Sequence, residues 1–210
     1  MHGILGFSNL LDTEFDKIDD EEKKQYIGYL KASSEYMNKL VERILTWSRL
    51  TTGRIKVQKE RINLSEIVSS IVDFQKVNAI RKGIILEIKV EDNLYVNTDS
   101  NVLDTVLRNL LDNAVKFSDE GGKVLVDSNI KGTEVEISVT DTGVGMKEED
   151  LARLFNIDQK TVSKGTFNEQ GTGLGLIICK EMLGLLGIEL KVDSFKTAGS
   201  IFYFSLPIAG

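Results

Sequence analysis

The sequence predicts an α+β protein in which an antiparallel helical hairpin precedes an α/β sandwich. Residues 1–53 show helical periodicity with one break, which predicts the hairpin. From residue 54 onward, short alternating apolar segments interleave with helical ones and several are joined by tight turns. This mixture favours a mainly antiparallel sheet with helices on one face. We therefore expect two domains, residues 1–53 and residues 54–210.

The hairpin is predicted from two helical segments. The first helix is expected to end near Leu11, and the second is expected to run from about Asp19 to about Leu50. The carboxylates of Asp19 and Asp20 suit a helix N-terminus, where the helix dipole is positive. Because seam residues recur at spacings of four and three, and two such helices have little core of their own, we expect a second copy to complete a dimeric four-helix bundle. The seam consists of Tyr26, Leu30, Ser33, Met37, Leu40, Ile44 and Trp47.

The second domain is predicted to alternate strands and helices. Its helices are expected over 64–83, with Ser65 near the start, and over 102–117, 147–155 and 173–187. Its strands are expected over 55–63, 85–91, 94–99, 123–130, 134–143, 188–195 and 199–208, with a hairpin turn at 131–133. The stretch 158–171 is polar and aperiodic, so it predicts a mobile loop.

Composition excludes several classes of function. The net charge of −6 argues against a nucleic-acid-binding surface, which is normally basic. No apolar run has the roughly 18–20 residues of a membrane span, so we expect no direct membrane contact. Cys179 lies in an apolar helical run, which predicts a buried structural thiol in a cytoplasmic, reducing setting. His2 and Cys179 are too few to form a zinc site.

The first of three chemically suggestive motifs is NLLDNAVKFS, residues 109–118. Asn109, Asn113 and Lys116 are spaced four and three apart, so they share one helix face while apolar residues face the core. An amide oxygen can ligate Mg²⁺, which takes few protein ligands. Considered alone, the motif is equally well explained as a solvated helix face.

The second motif is DTGVGM, residues 141–146, at the end of a predicted strand. A carboxylate that leaves an apolar strand is expected to be partly buried and to accept hydrogen bonds. Asp141 could accept one from the amino group of a purine. Gly143 and Gly145 would let the backbone approach the ring closely. A tight turn capped by aspartate is the alternative.

The third motif is GTGLGL, residues 171–176, at the start of a predicted helix. Glycine-rich backbone at a helix N-terminus offers free N–H groups to phosphate. The motif is neither a dinucleotide fingerprint, because position 176 is leucine, nor a Walker A loop, because no Gly-Lys-Ser/Thr follows.

In this order, the three motifs resemble the N, G1 and G2 boxes of the ATP-binding (Bergerat-type) domain. That domain is shared by sensor histidine kinases, gyrase-type topoisomerases, Hsp90-type chaperones and mismatch-repair ATPases. TAGSIFYFSLPI is similar to the closing strands of the histidine-kinase branch. SRLTTGRIKVQKERINLSEIV resembles its join between the dimerisation hairpin and the kinase domain. The sequence therefore resembles a two-component sensor histidine kinase over nearly its whole length.

The resemblance implies a role for each matching residue. Asn113 is implied to ligate Mg²⁺, Asn109 to support the metal and Lys116 to pair with phosphate. Asp141 is implied to read the adenine amino group. The remaining ATP contacts are implied for Gly143, Gly145, Gly171, Thr172, Gly173, Leu174 and Gly175.

The resemblance also implies a lid over residues 147–170, with Lys160 and Lys164 as candidate phosphate contacts. We expect this lid to be disordered without nucleotide because it offers little apolar burial. The family often carries a Phe-x-Pro-Phe element there. This chain keeps Phe155 but has Asp158 where a second aromatic would stand, so the resemblance does not extend to the packing of the lid.

The phosphoacceptor histidine of the family opens the pattern His-Glu-x-Arg/Lys-x-Pro-Met/Leu, followed by two variable residues, Ile, one residue and Gly-Phe. MHGILGF matches the tail of this pattern, with Ile4, Gly6 and Phe7 on family positions. His2, the one histidine of the chain, falls on a variable position. The resemblance thus places the acceptor six residues before Met1. We expect a fragment that binds Mg-ATP and cannot autophosphorylate, from a parent that can carry a membrane anchor upstream.

In the parent, the implied reaction is transfer of the ATP γ-phosphoryl group to a histidine and then to an aspartate of a response-regulator receiver domain. Two alternatives remain open. An ATP-hydrolysing conformational machine would need a catalytic glutamate on the N-box helix to activate water, and Asp112 and Asp104 are the nearby acidic residues. A non-catalytic dimerisation and docking module would have a vestigial nucleotide site.

Overall fold

The computed structural model describes residues 2–156, 164–167, 169, 171 and 173–210, and of His2 and Gly3 it describes the backbone alone. The chain divides into two compact units, Met1–Thr51 and Thr52–Gly210. Thr172, Lys160 and Asp158, named above, lie outside the described residues. Among the described helices, none is both long enough and apolar enough to cross a membrane.

The first unit is a hairpin of α1 (His2–Glu14) and α2 (Asp20–Thr51). Asp19 caps α2 as its sequence position predicted: its Oδ1 accepts a hydrogen bond of 2.8 Å from the backbone N–H of Glu22. The Phe7 ring stacks on Tyr29 at 5.0 Å between centroids and lies 5.5 Å from Tyr26. The helix α1 extends three residues beyond the expected end at Leu11.

Several apolar side chains of this hairpin are exposed within the single chain. Met37 and Ile44 of the predicted seam are 36% and 52% exposed. The other large exposed apolar side chains of the unit are Leu5, Leu10, Phe15, Ile27, Tyr29, Val41 and Leu45. The seam residues Tyr26, Leu30 and Leu40 are half-buried. The hairpin thus covers part of its apolar surface and leaves the rest open, as expected for a half-bundle.

The second unit is an α/β sandwich whose main sheet has five strands in the order β2-β4-β5-β7-β6. The strands are β1 (Glu60–Asn63), β2 (Ile85–Lys89), β3 (Tyr95–Thr98), β4 (Lys123–Lys131), β5 (Glu134–Asp141), β6 (Lys191–Phe195) and β7 (Gly199–Pro207). The pair β2–β4 is parallel and the other pairs of the main sheet are antiparallel. A separate antiparallel pair joins β1 to β3.

The helices of this unit are α3 (Leu64–Arg81), α4 (Ser100–Phe117), α5 (Glu148–Arg153) and α6 (Gly175–Leu185). Alternate residues of the central strands are buried, so one face of the sheet builds the core and the other faces water. The helix α4 contacts α3, α6 and this sheet. The fold class predicted from the sequence, a hairpin followed by a sandwich with helices on one sheet face, is confirmed.

The beginning of the second unit differs locally from the prediction. The segment 55–63 forms a strand over Glu60–Asn63 alone. The helix α3 is capped by Asn63, whose side chain accepts hydrogen bonds from the backbone N–H and the hydroxyl of Ser65. Just before β1, the chain is instead held by a hydrogen bond to Asp99: the backbone N–H of Gln58 donates to Oδ2 of Asp99 at 2.7 Å.

Candidate nucleotide site

The N-box residues lie on one face of α4, as their spacing predicted. The opposite face is buried in the core through Val106, Leu107, Leu110, Leu111 and Ala114. Asn109, Asn113 and Lys116 are all half-buried. The Asn109 amide donates to the carbonyl oxygen of Thr105 at 2.8 Å. In the described part of the chain no hydrogen bond is made by the Asn113 amide, so its oxygen can act as a ligand.

Asp141 ends β5 and is 5% exposed. Its Oδ1 accepts hydrogen bonds from the backbone N–H of Gly143 at 2.9 Å and of Ser200 at 3.2 Å. Burial raises the pKa of Asp141 from 3.8 to about 6, although these two hydrogen bonds act in the opposite direction. Among the described residues, no hydrogen bond reaches Oδ2. One oxygen of this largely buried carboxylate is thus available to a donor from outside the protein.

The N box and the G1 box meet at the C-terminal end of α4. The backbone N–H of Val144 donates to the carbonyl oxygen of Phe117 at 3.2 Å. A Cβ on Gly143 would overlap with that same oxygen, so glycine is required for this approach. The structure therefore brings together the first two of the three predicted motifs.

The other side of the G1 box rests on the turn between β6 and β7. The backbone N–H of Met146 donates to Ser194 Oγ at 2.9 Å, and that of Thr197 donates to the carbonyl oxygen of Val144 at 2.8 Å. Gly145 has a φ of 60°, and a Cβ added there would overlap with the carbonyl oxygen of Phe195. Sequence reasoning did not single out this support, since a strand serine carries no signal for it.

The G2 box leads into α6, which begins at Gly175. Gly173 has a φ of 68°, and Leu174 is the N-cap residue with no side-chain capping bond. The first N–H groups of a helix have no intrahelical partner, so they suit an anion here. The helix α6 packs on α4, where Cys179, buried as predicted, contacts the carbonyl oxygen of Val106 at 3.8 Å.

The predicted lid contains the helix expected over 147–155 and also a backbone contact that the sequence did not predict. It includes the short helix α5, and the backbone N–H of Thr166 donates to the carbonyl oxygen of Lys116 at 3.1 Å. Lys164 is exposed. Phe155 lies below the ammonium group of Lys180, which is 5.4 Å from the ring centroid. The described part of the predicted loop is therefore attached to the end of α4.

Among the residues that the structure describes, the acidic side chains near the site do not form a metal cluster. The Asp104 carboxylate is paired with Arg108 at 2.7 Å. Over the ranges that the structure describes, no group of three or more His, Cys, Asp or Glu side chains is placed to hold a metal. A cation here would depend on Asn113 and on oxygens outside the protein, which is the pattern that Mg²⁺ tolerates when it binds phosphates.

Comparison with known proteins identifies both units. A family model described as "Histidine kinase-, DNA gyrase B-, and HSP90-like ATPase" matches residues 98–210. A second model, "His Kinase A (phospho-acceptor) domain", matches residues 1–53. The chain therefore carries the ATP-binding domain of this ATPase family after a phospho-acceptor hairpin.

Individual relatives agree with these models. The autoinducer 2 sensor kinase/phosphatase LuxQ of Vibrio cholerae serotype O1 is 32% identical over 215 residues, which cover 99% of this chain and 24% of LuxQ. Full-length ShkA, crystallised with AMPPNP, is 28% identical with a TM-score of 0.74, covering 99% of this chain and 42% of that one. Histidine kinase ThkA in complex with response regulator TrrA shares the fold, at 23% identity and a TM-score of 0.76, over 99% of this chain and 57% of that one.

This chain belongs to the sensor histidine kinases, the ATP-binding proteins of two-component signalling. The family predicted from the three motifs is confirmed. The chain spans between about a quarter and two fifths of the length of the first curated relatives it matches.

Proposed function

We propose that this chain is the kinase core of a two-component phosphorelay and that it binds Mg-ATP. In the whole protein it would transfer the γ-phosphoryl group to a histidine, from which the group passes to an aspartate of a response-regulator receiver domain. The observation that carries the proposal is the buried Asp141, whose Oδ2 has no described partner beside glycines that exclude side chains. An adenine amino group supplies the missing donor.

We assign the other motif residues the roles that the family resemblance implies. Asn113 is the proposed magnesium ligand and Asn109 its neighbour one turn away, with Lys116 pairing with a phosphate. The proposed phosphate cradle comprises Gly171, Thr172, Gly173, Leu174 and Gly175. When bound, Mg²⁺ would neutralise charge on the triphosphate. The protein contributes mainly positioning and preorganised charge, as expected for phosphoryl transfer.

Replacing Asn113 by alanine is expected to remove the magnesium dependence of nucleotide binding. Affinity for AMPPNP with Mg²⁺ should fall about tenfold, since one ligand contact to a charged group is lost. Affinity without Mg²⁺ should stay at the wild-type level. Calorimetric titration in both conditions measures this. Asn101→Ala, an exposed asparagine in the first turn of the same helix, is the matched control. Equal magnesium dependence in Asn113→Ala and wild type would contradict the assignment.

The hairpin is proposed to dimerise with a second copy through its exposed apolar side chains, and to offer the receiver domain its docking surface. Partly exposed Met37 and Ile44 support this, because two isolated helices bury too little surface to be stable. The complex of ThkA with a response regulator supports the choice of partner. The match of residues 1–53 to the phospho-acceptor model favours this function over a conformational ATPase or a docking module. We place this kinase core in the cytoplasm, where ATP is available.

Which residue accepts the phosphoryl group is a separate question. The match to the phospho-acceptor model gives no support to the expectation that this chain cannot autophosphorylate. We propose more narrowly that His2 is not the acceptor, because it falls on a variable position of the family pattern.

Incubation with γ-labelled ATP tests the assignment of His2. Wild type and His2→Gln are expected to show the same amount of acid-labile, base-stable phosphate. Because the chain has one histidine, the comparison between these two proteins is direct. Label that is present in wild type and lost in His2→Gln would identify His2 as the acceptor and overturn the hypothesis.

A further inference from the structure

Lys82 lies outside all three motifs, yet its side chain is buried at the junction of α3 and α4. It is the C-cap residue of α3 and is 4% exposed. A buried ammonium group is costly unless hydrogen-bond acceptors surround it. The groups that contact Lys82 therefore indicate which parts of the chain its side chain stabilises.

On one side, Lys82 caps the C-terminal end of α4. Its Nζ donates to the carbonyl oxygens of Val115 and Lys116, each at 2.9 Å. The last carbonyl groups of a helix lack intrahelical partners and lie at the negative end of the helix dipole, so a cation stabilises them. Lys82 thus fixes the helix end that carries the N box.

On the other side, Lys82 contacts residues that precede the G2 box. Its Nζ lies 2.6 Å from Thr166 Oγ1 and 3.2 Å from Glu169 Oε1. The Thr166 hydroxyl donates to the carbonyl oxygen of Ser118 at 2.6 Å. The other oxygen of Glu169, Oε2, accepts from the backbone N–H of Phe167 at 2.9 Å. One ammonium group therefore joins two separate parts of the chain.

The packing of this cluster is tight. A Cβ on Gly165 would overlap with Glu169 Oε2 and would lie 2.6 Å from Lys116 Cγ. Burial alone would raise the pKa of Glu169, but backbone hydrogen bonds and the contact with Lys82 outweigh it, so the pKa is lowered. Glu169 is consequently ionised at neutral pH and pairs with the cation.

We propose that Lys82 and Glu169 form a positioning pair that fixes the chain leading into the G2 box against the N-box helix, so that both can contact one nucleotide. This rests on the proposed binding of Mg-ATP. Glu169 is two residues before Gly171, and Lys82 bonds to the backbone of Lys116. Neither residue needs to touch the nucleotide, since each acts through the segments that it holds.

The test uses Glu169→Gln, which removes the charge and keeps the shape, on the 210-residue chain. Hydrogen exchange without nucleotide should become faster at the amides of Thr166 and Phe167. Affinity for AMPPNP with Mg²⁺ should fall about twofold to fivefold, the range that corresponds to a partly exposed ion pair. The melting temperature without nucleotide should fall by no more than about 2–4 °C, because a partly exposed ion pair adds little to stability. Glu136→Gln, which removes the ion pair with Lys131, is the matched control and should leave all three readouts unchanged.

Lys82→Met and the double variant test whether the two residues act through each other. Lys82→Met should weaken AMPPNP binding at least as much as Glu169→Gln does. The double variant should be no weaker than Lys82→Met, because a lost pair cannot be lost twice. Lys82→Arg should restore part of the affinity. If the losses of AMPPNP affinity are additive in the double variant, the two residues act independently. The proposed positioning pair would then be wrong.

The outcomes separate this inference from the proposed function. Wild type that does not bind AMPPNP refutes the proposed function, and the positioning role with it. Wild type that binds, with Glu169→Gln binding equally well, refutes the positioning role alone. Wild-type amides of Thr166 and Phe167 that exchange as fast as unstructured chain refute the attachment itself, whatever the nucleotide result.

Discussion

Asp141→Asn is expected to weaken the binding of AMPPNP by about tenfold to 100-fold. A hydrogen bond to a charged acceptor contributes about 1.5–3 kcal/mol, and 1.4 kcal/mol corresponds to tenfold in affinity. The asparagine oxygen can still accept from the backbone N–H groups of Gly143 and Ser200. Its NH₂ group then stands where Oδ2 was, and it would face the adenine amino group as a second donor. Calorimetry with wild type and variant measures the loss.

The same substitution is expected to stabilise the nucleotide-free protein at pH 7.5. The folded pKa of Asp141, about 6, exceeds its unfolded value of 3.8, so the folded state favours the protonated form. The stabilising contribution is complete below pH 3.8 and is lost as pH rises through about 6. Above that, ionised Asp141 costs on the order of 1–3 kcal/mol of folding free energy. The asparagine of the variant does not titrate, so its advantage in urea denaturation should be larger at pH 7.5 than at pH 5.

Asp127→Asn is the matched control for both measurements. Asp127 is a strand residue whose Oδ1 also accepts a backbone N–H, that of Ser128 at 2.8 Å, but it lies outside the three motifs. It should change neither the affinity for AMPPNP nor the pH dependence of stability. If Asp141→Asn binds AMPPNP as tightly as wild type does, the proposed contact with adenine is wrong. If the variant is less stable than wild type at pH 7.5, the buried charge of Asp141 does not destabilise the folded protein.

Gly145→Ala is expected to destabilise the protein by more than about 2 kcal/mol, and to abolish nucleotide binding. Two separate costs add here. The φ of 60° is unfavourable for a residue with a Cβ by about 1–2 kcal/mol. The new Cβ would also overlap with the carbonyl oxygen of Phe195, which is backbone and cannot rotate away. The G1 box would have to move away from the β6–β7 turn.

Gly132→Ala separates these two costs. Gly132 lies in the β4–β5 turn with a φ of 67°, but an added Cβ there would meet no atom within 4 Å. It should lose only the conformational part, about 1–2 kcal/mol, and keep full affinity for AMPPNP. Urea denaturation of both variants measures the difference. Equal losses would show that the G1 box does not rest on the β6–β7 turn as described.

The sequence predicted the elements best where periodicity was long. The 3.6-residue pattern of α4 and the alternation in β4 and β5 gave their positions within two residues. It failed where the deciding interaction was not local. The segment 55–63 alternates like a strand, but only Glu60–Asn63 pairs with β3, and Gln58 is held by Asp99, 41 residues away. An interaction with a residue so distant in the chain cannot be recognised from the sequence of such a short segment.

The predicted site residues fall into two groups. The N and G1 boxes meet at the end of α4 through the backbone of Phe117 and Val144, and Leu174 and Gly175 lie at the start of the helix packed against α4. Thr172 lies outside the described residues, so its role remains a prediction. The supports of the site were missed: Ser194 below the G1 box, and Lys82 with Glu169 beside the G2 box. Serine, lysine and glutamate are common on protein surfaces, so these residue types alone do not indicate a supporting role at the site.

The family and the fold class could be read from the sequence alone, and so could the proposed chemistry of the three boxes, because glycine spacing, a strand-end carboxylate and an amide-lined helix face are local patterns. The ionisation of Asp141 and the contacts that hold the boxes in place could be seen in the folded protein but not in the sequence. Burial sets the pKa of Asp141, and Lys82 and Glu169 are 87 residues apart in the chain. Both depend on which surfaces the folded chain removes from water, and that is a property of packing.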